Sequence, residues 1–292
     1  MISFRPVNNL TEMNVCLRNI KGIEADFFDV PVDNAVMFRM IRDRKICGAV
    51  CAFEKDRTVF LRMHFEEMEP QVQNEVLQTV IHRIISVYHP LRVLSDHFHG
   101  LDSETMRKNM FYSIGMIYAR DIEPWRYVVR DQVFDDNGNI INQGDLKDLP
   151  FGWFSTREKG CGWIAAYNLL RMNGREHTME NCAVSLERYG FTGKLFGQEV
   201  FTLAHWLKKE GLPIHISMML KGQTAEKMRH SSTGILLYTH KRGSHYTAYR
   251  NAGNGTVQFY NAVYGARNMV ITPEAFIKKY VLLPWMFLIY ID

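Results

Sequence analysis

Three short apolar runs alternate with charged turns near the start of the chain. The runs cover residues 36–42, 46–53 and 58–65, and every residue in the two intervening segments, 43–45 and 54–57, is charged. Apolar runs of this length joined by tight polar turns are typical of antiparallel strands. The pattern therefore predicts a three-stranded meander.

The hydrophobic period changes after the meander. In residues 71–88 apolar side chains recur at intervals of three or four, as on one face of a helix. They are Val72, Val76, Val80, Ile84 and Val87. A strand at 92–96, a helix at 103–114 and a strand from Met116 are predicted to follow. We expect these elements to form an α+β domain in residues 1–130.

Residues 131–152 differ in composition from the chain on either side. Asp, Asn and Gly are concentrated there, as in the run Asp135-Asp136-Asn137-Gly138-Asn139. These residues favour turns because they tolerate positive φ angles. We interpret 131–152 as a linker, which leaves residues 153–292 as a second domain.

Residues 162–172 predict a buried helix in the second domain. Ala165 and Ala166 permit close packing, and Gly174 is suited to a left-handed C-terminal cap. Cys161 lies at the N-terminus of this helix, where unpaired N–H groups and the helix dipole favour the reactive thiolate. Glycines on both sides of it are expected to leave room for a substrate carbonyl. Cys161 is therefore the candidate nucleophile.

A candidate base lies in a predicted hairpin. Two strand-like segments, 243–250 and 257–261, flank a turn rich in glycine and asparagine. If the hairpin is symmetric about Gly253, His245 lies directly opposite Asn261. Cross-strand neighbours have Cβ atoms about 5 Å apart, so the amide of Asn261 can orient the imidazole. Cysteine, then histidine, then asparagine is the chain order of papain-like enzymes.

Residues 153–292 resemble the papain-like peptidases that remove double-glycine leader peptides from bacteriocins. Three motifs carry the resemblance: Gly160-Cys161-Gly162, Gly243-Ser244-His245-Tyr246 and Tyr260-Asn261. Residues 193–197, which precede a helix ending near Gly211, resemble the middle section of that family. The resemblance implies a papain-like domain in which the nucleophile helix packs on an antiparallel sheet.

The same resemblance implies roles for the motif residues. Cys161 would be the nucleophile, His245 the base and Asn261 the residue that orients the base. Relatives commonly carry a glutamine six residues before the cysteine as a donor to the oxyanion, and this chain has Ser155 there. We expect Ser155 and the backbone N–H of Cys161 to form the oxyanion hole. The residues expected to line the substrate cleft are Trp163, Ser244 and Tyr246.

The element order of residues 1–130 resembles the GNAT acetyltransferase fold, a mixed sheet with helices. Residues 109–116 resemble the late helix–strand junction of that family. GNAT enzymes bind the pyrophosphate of coenzyme A through the backbone N–H groups of a glycine-rich loop. The equivalent residues here, 66–72, contain three glutamates and a proline but no glycine. Because carboxylates repel phosphate and proline lacks a donor, we expect no coenzyme A and no other cofactor.

Other histidines and cysteines compete with this site. His240 is a rival base, but its position before a Lys-Arg-Gly turn predicts exposure at the surface. Cys182 is a rival nucleophile, although the periodicity of its helix predicts burial. His97 and His99 are two residues apart, but no third ligand follows at a useful spacing, so we expect no metal site. The other histidines expected in loops or at the surface are His64, His82 and His89.

Composition narrows the class of protein. The net charge is +4, and no block of lysine and arginine indicates nucleic acid as a partner. No apolar stretch approaches the ~18 residues needed to cross a bilayer, and the N-terminus lacks the features of a signal peptide. Five cysteines without metal-like pairing fit free thiols in a reducing compartment. We therefore expect a cytoplasmic protein with no membrane partner.

These observations favour a thiol-dependent hydrolase, a peptidase or amidase that forms an acyl-enzyme from a peptide, amide or acyl-thioester. The first domain would then bind the substrate or a partner. Two alternatives stay open: a papain-like acyltransferase that uses a thioester donor, and a binding protein built from two retired enzyme folds. An active acetyltransferase is a further alternative, which the glutamates of residues 66–72 oppose. The sequence leaves the substrate and the oligomeric state open.

Overall fold

The computed structural model describes residues 2–30, 35–114, 117–122, 131–147, 149–152, 154–190, 198–263 and 266–292. The chain divides into two compact units, Met1–Pro124 and Trp125–Asp292. Each unit combines helices with a β-sheet, which is the α+β class that the sequence predicts. Trp153 and residues 193–197, which the sequence assigns to the second domain, lie outside the described residues.

Within its described residues, the first unit contains a seven-stranded sheet of order β1-β2-β3-β4-β5-β7-β6. Its strands are β1 (Ile2–Pro6), β2 (Ala35–Arg42), β3 (Lys45–Lys55), β4 (Thr58–Phe65), β5 (Arg92–His99), β6 (Tyr112–Ile114) and β7 (Ile117–Asp121). Its helices are α1 (Leu10–Asn19), α2 (Pro70–Tyr88) and α3 (Ser103–Lys108). β4 and β5 pair in parallel, and α2 connects them. The buried side chains of α2 share one core with those of β3 and β4.

The predicted meander is confirmed by the antiparallel pairing of β2, β3 and β4. The first turn holds Asp43 and Arg44 at φ angles of 51° and 67°, and the second holds Asp56 and Arg57 at 52° and 57°. Two consecutive positive φ angles are the geometry of a type I′ turn, whose twist matches that of paired strands. Tight turns of this type hold the strands of the meander in register.

The second helix of the first unit agrees with the prediction better than the third. α2 covers the predicted residues, although its last periodic position, Val87, is 56% exposed. The helix predicted over residues 103–114 was too long, since α3 ends at Lys108. Met110 adopts a left-handed φ of 64°, which a helix cannot continue through, and Tyr112–Ile114 form a strand instead.

Within its described residues, the second unit contains a six-stranded antiparallel sheet of order β10-β15-β11-β12-β13-β14 and the short pair β8-β9. Its strands are β8 (Pro150–Phe151), β9 (Phe154–Ser155), β10 (His215–Leu220), β11 (Thr233–His240), β12 (Gly243–Gly253), β13 (Thr256–Val263), β14 (Ala266–Ile271) and β15 (Trp285–Ile291). Its helices are α4 (Thr156–Lys159), α5 (Cys161–Met172), α6 (Met179–Gly190), α7 (Val200–Lys209), α8 (Lys221–His230) and α9 (Pro273–Tyr280). α5 packs against β12, which is the expected arrangement of nucleophile helix and sheet.

The segment interpreted from its composition as a linker packs within the second unit. Val133 and Ile140 are fully buried. The side chain of Asn168 on α5 accepts a hydrogen bond from the backbone N–H of Ile140, with N to Oδ1 at 2.7 Å, and donates to its carbonyl at 2.8 Å. Residues 131–147 are therefore attached to the nucleophile helix, although their turn-rich composition is like that of a linker.

Candidate active site

A cavity of about 470 Å³ lies in the second unit where α5 begins and where β11, β12 and β13 meet. Its wall includes Cys161, His245 and Asn261, the three residues that the sequence predicts to act together. Cys161 comes from the first turn of α5, His245 from β12 and Asn261 from β13. Packing of the helix against the strands brings these distant segments of the chain to one pocket.

Cys161 occupies the predicted position at the start of α5, but its ionisation differs from the prediction. Burial raises the pKa of the Cys161 thiol. Hydrogen bonds from the backbone N–H groups of Tyr246, Gly162 and Cys161 itself lower that pKa, but by less than burial raises it. The free thiol is therefore the stable form near neutral pH, because desolvation of a thiolate outweighs the stabilisation by the helix N-terminus.

The glycines that flank Cys161 serve packing. A Cβ atom on Gly162 would lie 2.6 Å from the Cβ of Gln198, and one on Gly160 would lie 2.6 Å from the carbonyl oxygen of Thr156. Both distances are too short for a side chain. The expectation that these glycines leave room for substrate is corrected: they let the start of α5 approach its neighbours closely.

His245 has a defined tautomer. Its Nε2 atom lies 2.7 Å from the backbone carbonyl oxygen of Asn261. A carbonyl oxygen only accepts hydrogen bonds, so Nε2 carries the ring proton and Nδ1 has the free lone pair. Burial lowers the pKa of His245, and the hydrogen bond to Asn261 offsets this only in part. The imidazole is therefore neutral near pH 7, with Nδ1 as its basic nitrogen.

The register of the β12–β13 hairpin differs from the symmetric prediction. Ala248 pairs with Tyr260, so the register is shifted by two residues from the symmetric prediction, and a further irregularity lies between Asn251 and Gly253. Direct pairing of His245 with Asn261 was therefore wrong. The shift keeps both side chains on their predicted faces, because side chains alternate with a period of two along a strand. This is why the two residues still reach the same pocket.

The side chain of Asn261 bonds to Gln143, a residue of the segment interpreted as a linker. Oδ1 of Asn261 accepts from the backbone N of Gln143 at 3.0 Å, and Nδ2 donates to Oε1 of Gln143 at 3.1 Å. Asn261 has a left-handed φ of 52°, within an irregular part of the β13–β14 ladder. The prediction that its amide orients the imidazole is corrected, because its backbone carbonyl bonds to His245 instead.

Three other predicted site residues lie away from the described wall of the pocket. Ser155 is buried, and its hydroxyl donates to Glu158 as part of the cap of α4, so it is not placed as an oxyanion donor. Trp163 is fully buried in the core. Tyr246 is also buried, with its hydroxyl bonded to the carbonyl of Gln198 at 2.9 Å. Only Ser244 of the predicted cleft residues lines the pocket.

The rival residues have separate outcomes. His240 is half-buried and lines the pocket, with its ring 6.1 Å from that of His245, so it lies closer to the candidate site than the sequence predicts. Burial and the neighbouring His245 lower the pKa of His240. Cys182 is fully buried on α6 as predicted, and burial raises the pKa of its thiol strongly. Cys182 is therefore inert in comparison with Cys161.

Residues from the predicted linker contribute a large part of the pocket wall. They include Asn142, Gln143 and Asp145, which were not predicted as site residues. Their turn chemistry is visible in the sequence, and Asn142 caps the short 3-10 helix Gln143–Asp145. However, no sequence period connects Gln143 with Asn261, which is 118 positions away. Only the tertiary fold brings them together.

Among the residues of the first unit that the structure describes, no group of histidine, cysteine, aspartate and glutamate side chains could hold a metal ion. His64 was expected in a loop or at the surface, but it is buried on β4. Its ring stacks on that of His99 at 4.3 Å, and its Nε2 lies 3.0 Å from the carbonyl of Lys21. His64 therefore contributes to the packing and hydrogen bonding inside the first unit.

The loop between β4 and α2 keeps its acidic character in the structure. Glu66 forms an ion pair with Arg42, with 3.9 Å between Oε2 and Nη2. β4 and β5 stay paired as far as His64 and His99. A Cβ atom on Gly100 would lie 2.3 Å from the carbonyl oxygen of Phe65. The residue that follows β5 is therefore in close contact with the last residue of β4.

Coenzyme A is expected to leave the melting temperature of the protein unchanged. The reason is the cluster of carboxylates where a pyrophosphate would need N–H donors. Thermal unfolding followed by fluorescence, with and without coenzyme A, measures this. A ligand present at 100 times its Kd would stabilise the protein by about 2.7 kcal/mol. A rise in melting temperature that saturates with coenzyme A, and that adenosine triphosphate does not reproduce, would contradict this expectation.

Solved structures similar to parts of this chain include peptidase domains and acetyltransferases. The peptidase domain of Streptococcus ComA, a bifunctional ABC transporter of a quorum-sensing pathway, is 12% identical, with 46% of this chain and 93% of that chain covered and a TM-score of 0.34. A double-glycine-motif protease from an AMS/PCAT transporter, in complex with a leader peptide, is 10% identical, with 45% and 84% covered and a TM-score of 0.31. Campylobacter jejuni N-acetyltransferase PseH, in complex with acetyl coenzyme A, is 12% identical, with 42% and 99% covered and a TM-score of 0.31.

These structures represent the two families that the sequence resembles. No family model matches the sequence, and no curated protein matches it. In the described parts of the chain, every helix is too short or too polar to span a bilayer.

Proposed function

We propose that the second unit is a thiol-dependent hydrolase that cleaves an amide or thioester through an acyl-enzyme on Cys161. The observation that carries the proposal is the tautomer of His245. Its Nε2 donates to the carbonyl of Asn261, so its basic Nδ1 is free for a proton, and the ring shares a pocket with a partly accessible cysteine. A cysteine and a neutral imidazole in one pocket are the minimum machinery for acyl transfer.

In the proposed reaction, Cys161 begins as a neutral thiol and His245 as a neutral imidazole. As Sγ of Cys161 forms a bond to the substrate carbonyl carbon, the thiol proton passes to Nδ1 of His245. The imidazolium then donates this proton to the leaving amine or thiolate as its bond to the carbonyl carbon breaks. Water then attacks the carbonyl carbon of the acyl-enzyme while His245 accepts a proton from it. The bond between that carbon and Sγ breaks, the carboxylic acid is released, and His245 returns the proton to Sγ. The backbone N–H of Cys161 is the donor proposed for the oxyanion.

Hydrolysis is preferred to acyl transfer because the pocket is polar and open to water. Ser244 and Arg242 are exposed at its rim, and amide side chains of Asn142 and Gln143 line its wall. An acyltransferase must keep water from the acyl-enzyme. A role in binding the substrate or a partner is proposed for the first unit.

Formation of the acyl-enzyme tests the proposal. The protein is incubated with activated peptide esters, peptide anilides and acyl thioesters, quenched in acid and analysed by mass spectrometry. We expect an added acyl group on Cys161, its loss in Cys161→Ala and its retention in Cys47→Ala, which removes a buried thiol of the first unit. No adduct with any donor, in a protein that is folded, would contradict the proposal and favour a binding protein.

The same reaction mixture distinguishes hydrolysis from transfer. We expect the free acid to form as the main product when an amine acceptor such as glycinamide is added. Acyl-glycinamide as the main product would instead indicate an acyltransferase. The ratio of the two products measures how well the site excludes water once the acyl-enzyme has formed.

A further inference from the structure

The side chain of Gln143 joins two parts of the candidate active site. Its Nε2 donates to the carbonyl oxygens of Thr156 and Arg157, at 2.8 and 3.0 Å. Its Oε1 accepts from Nδ2 of Asn261, and its backbone N donates to Oδ1 of the same side chain. Thr156 and Arg157 belong to α4, which leads directly into Cys161. Gln143 thus connects the helix before the nucleophile with the residue whose carbonyl bonds to the base.

The hydrogen bonds leave this amide without a donor for an oxyanion. Both N–H groups of the Gln143 amide already donate to backbone carbonyls. An amide nitrogen has only two N–H groups, so none is left for an oxyanion. The side chain of Asn261 accepts from the backbone N of Gln143 through Oδ1 and donates to Oε1 of Gln143 through Nδ2. The pair therefore acts on the structure of the site.

The feature that the pair holds is the backbone of Asn261. This residue is in the left-handed region, which asparagine tolerates better than most residues with a Cβ atom, although at some cost relative to extended backbone. The two reciprocal hydrogen bonds to Gln143 stabilise this conformation. The carbonyl of Asn261 then meets Nε2 of His245 at 2.7 Å, and this bond decides which ring nitrogen is basic.

We propose that Gln143 is a positioning residue for His245, acting through Asn261. Its amide holds the Asn261 side chain against α4, the side chain holds the left-handed backbone, and the backbone carbonyl keeps the proton on Nε2 and the lone pair on Nδ1. The inference rests on the proposed function in one respect, namely that His245 is the base for Cys161. It assigns the orientation of that base to a residue outside the three predicted catalytic residues.

The test is the rate of Cys161 alkylation by iodoacetamide across pH, measured by mass spectrometry in Gln143→Met and Asn261→Gly. Methionine keeps the length of the side chain without its hydrogen bonds. Glycine permits the left-handed backbone and retains the carbonyl, but it lacks the side chain that holds them in place. We expect each variant to lower the rate near pH 7 about five-fold, as for the loss of one net hydrogen bond. The rate above pH 9, at which the thiol ionises without a base, is expected to stay unchanged.

A double variant tests whether the two residues act in one chain of contacts. If Gln143 acts through Asn261, the double variant loses no more than Asn261→Gly alone, because without the Asn261 side chain the Gln143 side chain has nothing to hold. Losses that multiply would overturn the inference. Gln258→Met is the matched control, since Gln258 lies on β13 and accepts its hydrogen bond from Arg250 at 3.1 Å, outside the pocket. It is expected to react like the wild type.

The outcomes separate this inference from the proposed function. If His245→Ala leaves the wild-type rate unchanged, the proposed function fails and Gln143 has no base to position. If His245→Ala lowers the rate but Gln143→Met and Asn261→Gly do not, only the inference fails. Equal losses at all pH values would also overturn it, because they would indicate altered access to the thiol. If Gln143→Met does not fold, Asn261→Gly decides by the same criteria.

Discussion

Replacement of His245 by alanine is expected to lower the alkylation rate of Cys161 near neutral pH by about a hundred-fold or more, the contribution of a positioned base. The wild-type rate should fall as the pH drops through the pKa of His245, because protonated Nδ1 cannot accept a proton. Burial lowers that pKa below its ordinary value of 6.5, so the fall occurs on the acid side of 6.5.

The alkylation rate of Cys161 is expected to rise again at alkaline pH. Burial raises the pKa of the Cys161 thiol above its ordinary value of 9.0, so unaided ionisation begins only there. This branch does not depend on the base and should remain in His245→Ala. The wild type thus has two branches and the variant one, which a pH series from 5 to about 10 resolves by mass spectrometry of the labelled peptide.

Two further variants complete this experiment. His230→Ala removes an exposed imidazole that pairs with Glu226, outside the pocket of Cys161, and is expected to react like the wild type. His240→Ala tests the rival base in the pocket. Loss of the neutral branch in His240→Ala, with retention in His245→Ala, would assign the base to His240. A wild-type rate that stays high well below pH 6.5 would instead indicate a thiolate–imidazolium pair in the free protein.

Replacement of Asn168 by alanine is expected to destabilise the second unit by about 3 kcal/mol. Asn168 and Ile140 are both fully buried, and the Asn168 amide satisfies the N–H and the carbonyl of Ile140. Alanine would leave both backbone groups without these bonds in a site with little access to water, and each such group costs about 1 to 3 kcal/mol. The change should also lower the reactivity of Cys161, since Gln143 follows three residues after Ile140.

Urea unfolding followed by circular dichroism and tryptophan fluorescence measures this change in the free energy of unfolding. Asn181→Ala is the matched control, because Asn181 is an exposed residue of α6; its effect is expected within about 0.5 kcal/mol. A loss below 1 kcal/mol in Asn168→Ala would show that residues 131–147 contribute little to the stability of the unit. They would then behave as the linker that their composition predicts.

Several features of this chain follow from local sequence. The apolar runs before residue 66 predict β2, β3 and β4, because the charged turns between them mark where each strand begins and ends. The helical period in residues 71–88 predicts α2. The start of α5 at Cys161 and the strand positions of His245 and Asn261 also follow from local patterns. Each depends on neighbours within a few residues, which a sequence displays directly.

Local patterns failed where a distant contact decides the outcome. A two-residue shift in the β12–β13 ladder changed the partner of His245, although the alternation of side chains kept its face. His240 ends a strand before a polar turn, yet packing of α5 against β12 places it in the pocket. Residues 131–147 are rich in turn-forming residues, and this composition does not indicate that the side chain of Asn168 forms hydrogen bonds with their backbone.

By itself, the sequence determined the α+β class, the order of most strands and helices, and the identity of the cysteine, histidine and asparagine that share the pocket. Tertiary structure alone decided their chemical states and contacts. Burial keeps Cys161 and His245 uncharged, since desolvation depends on every surrounding segment. The position of the proton on His245 depends on the backbone carbonyl of Asn261. The position of that carbonyl depends in turn on Gln143, which is 118 residues from Asn261 along the chain. Hydrogen bonds of this range arise only after the chain has folded.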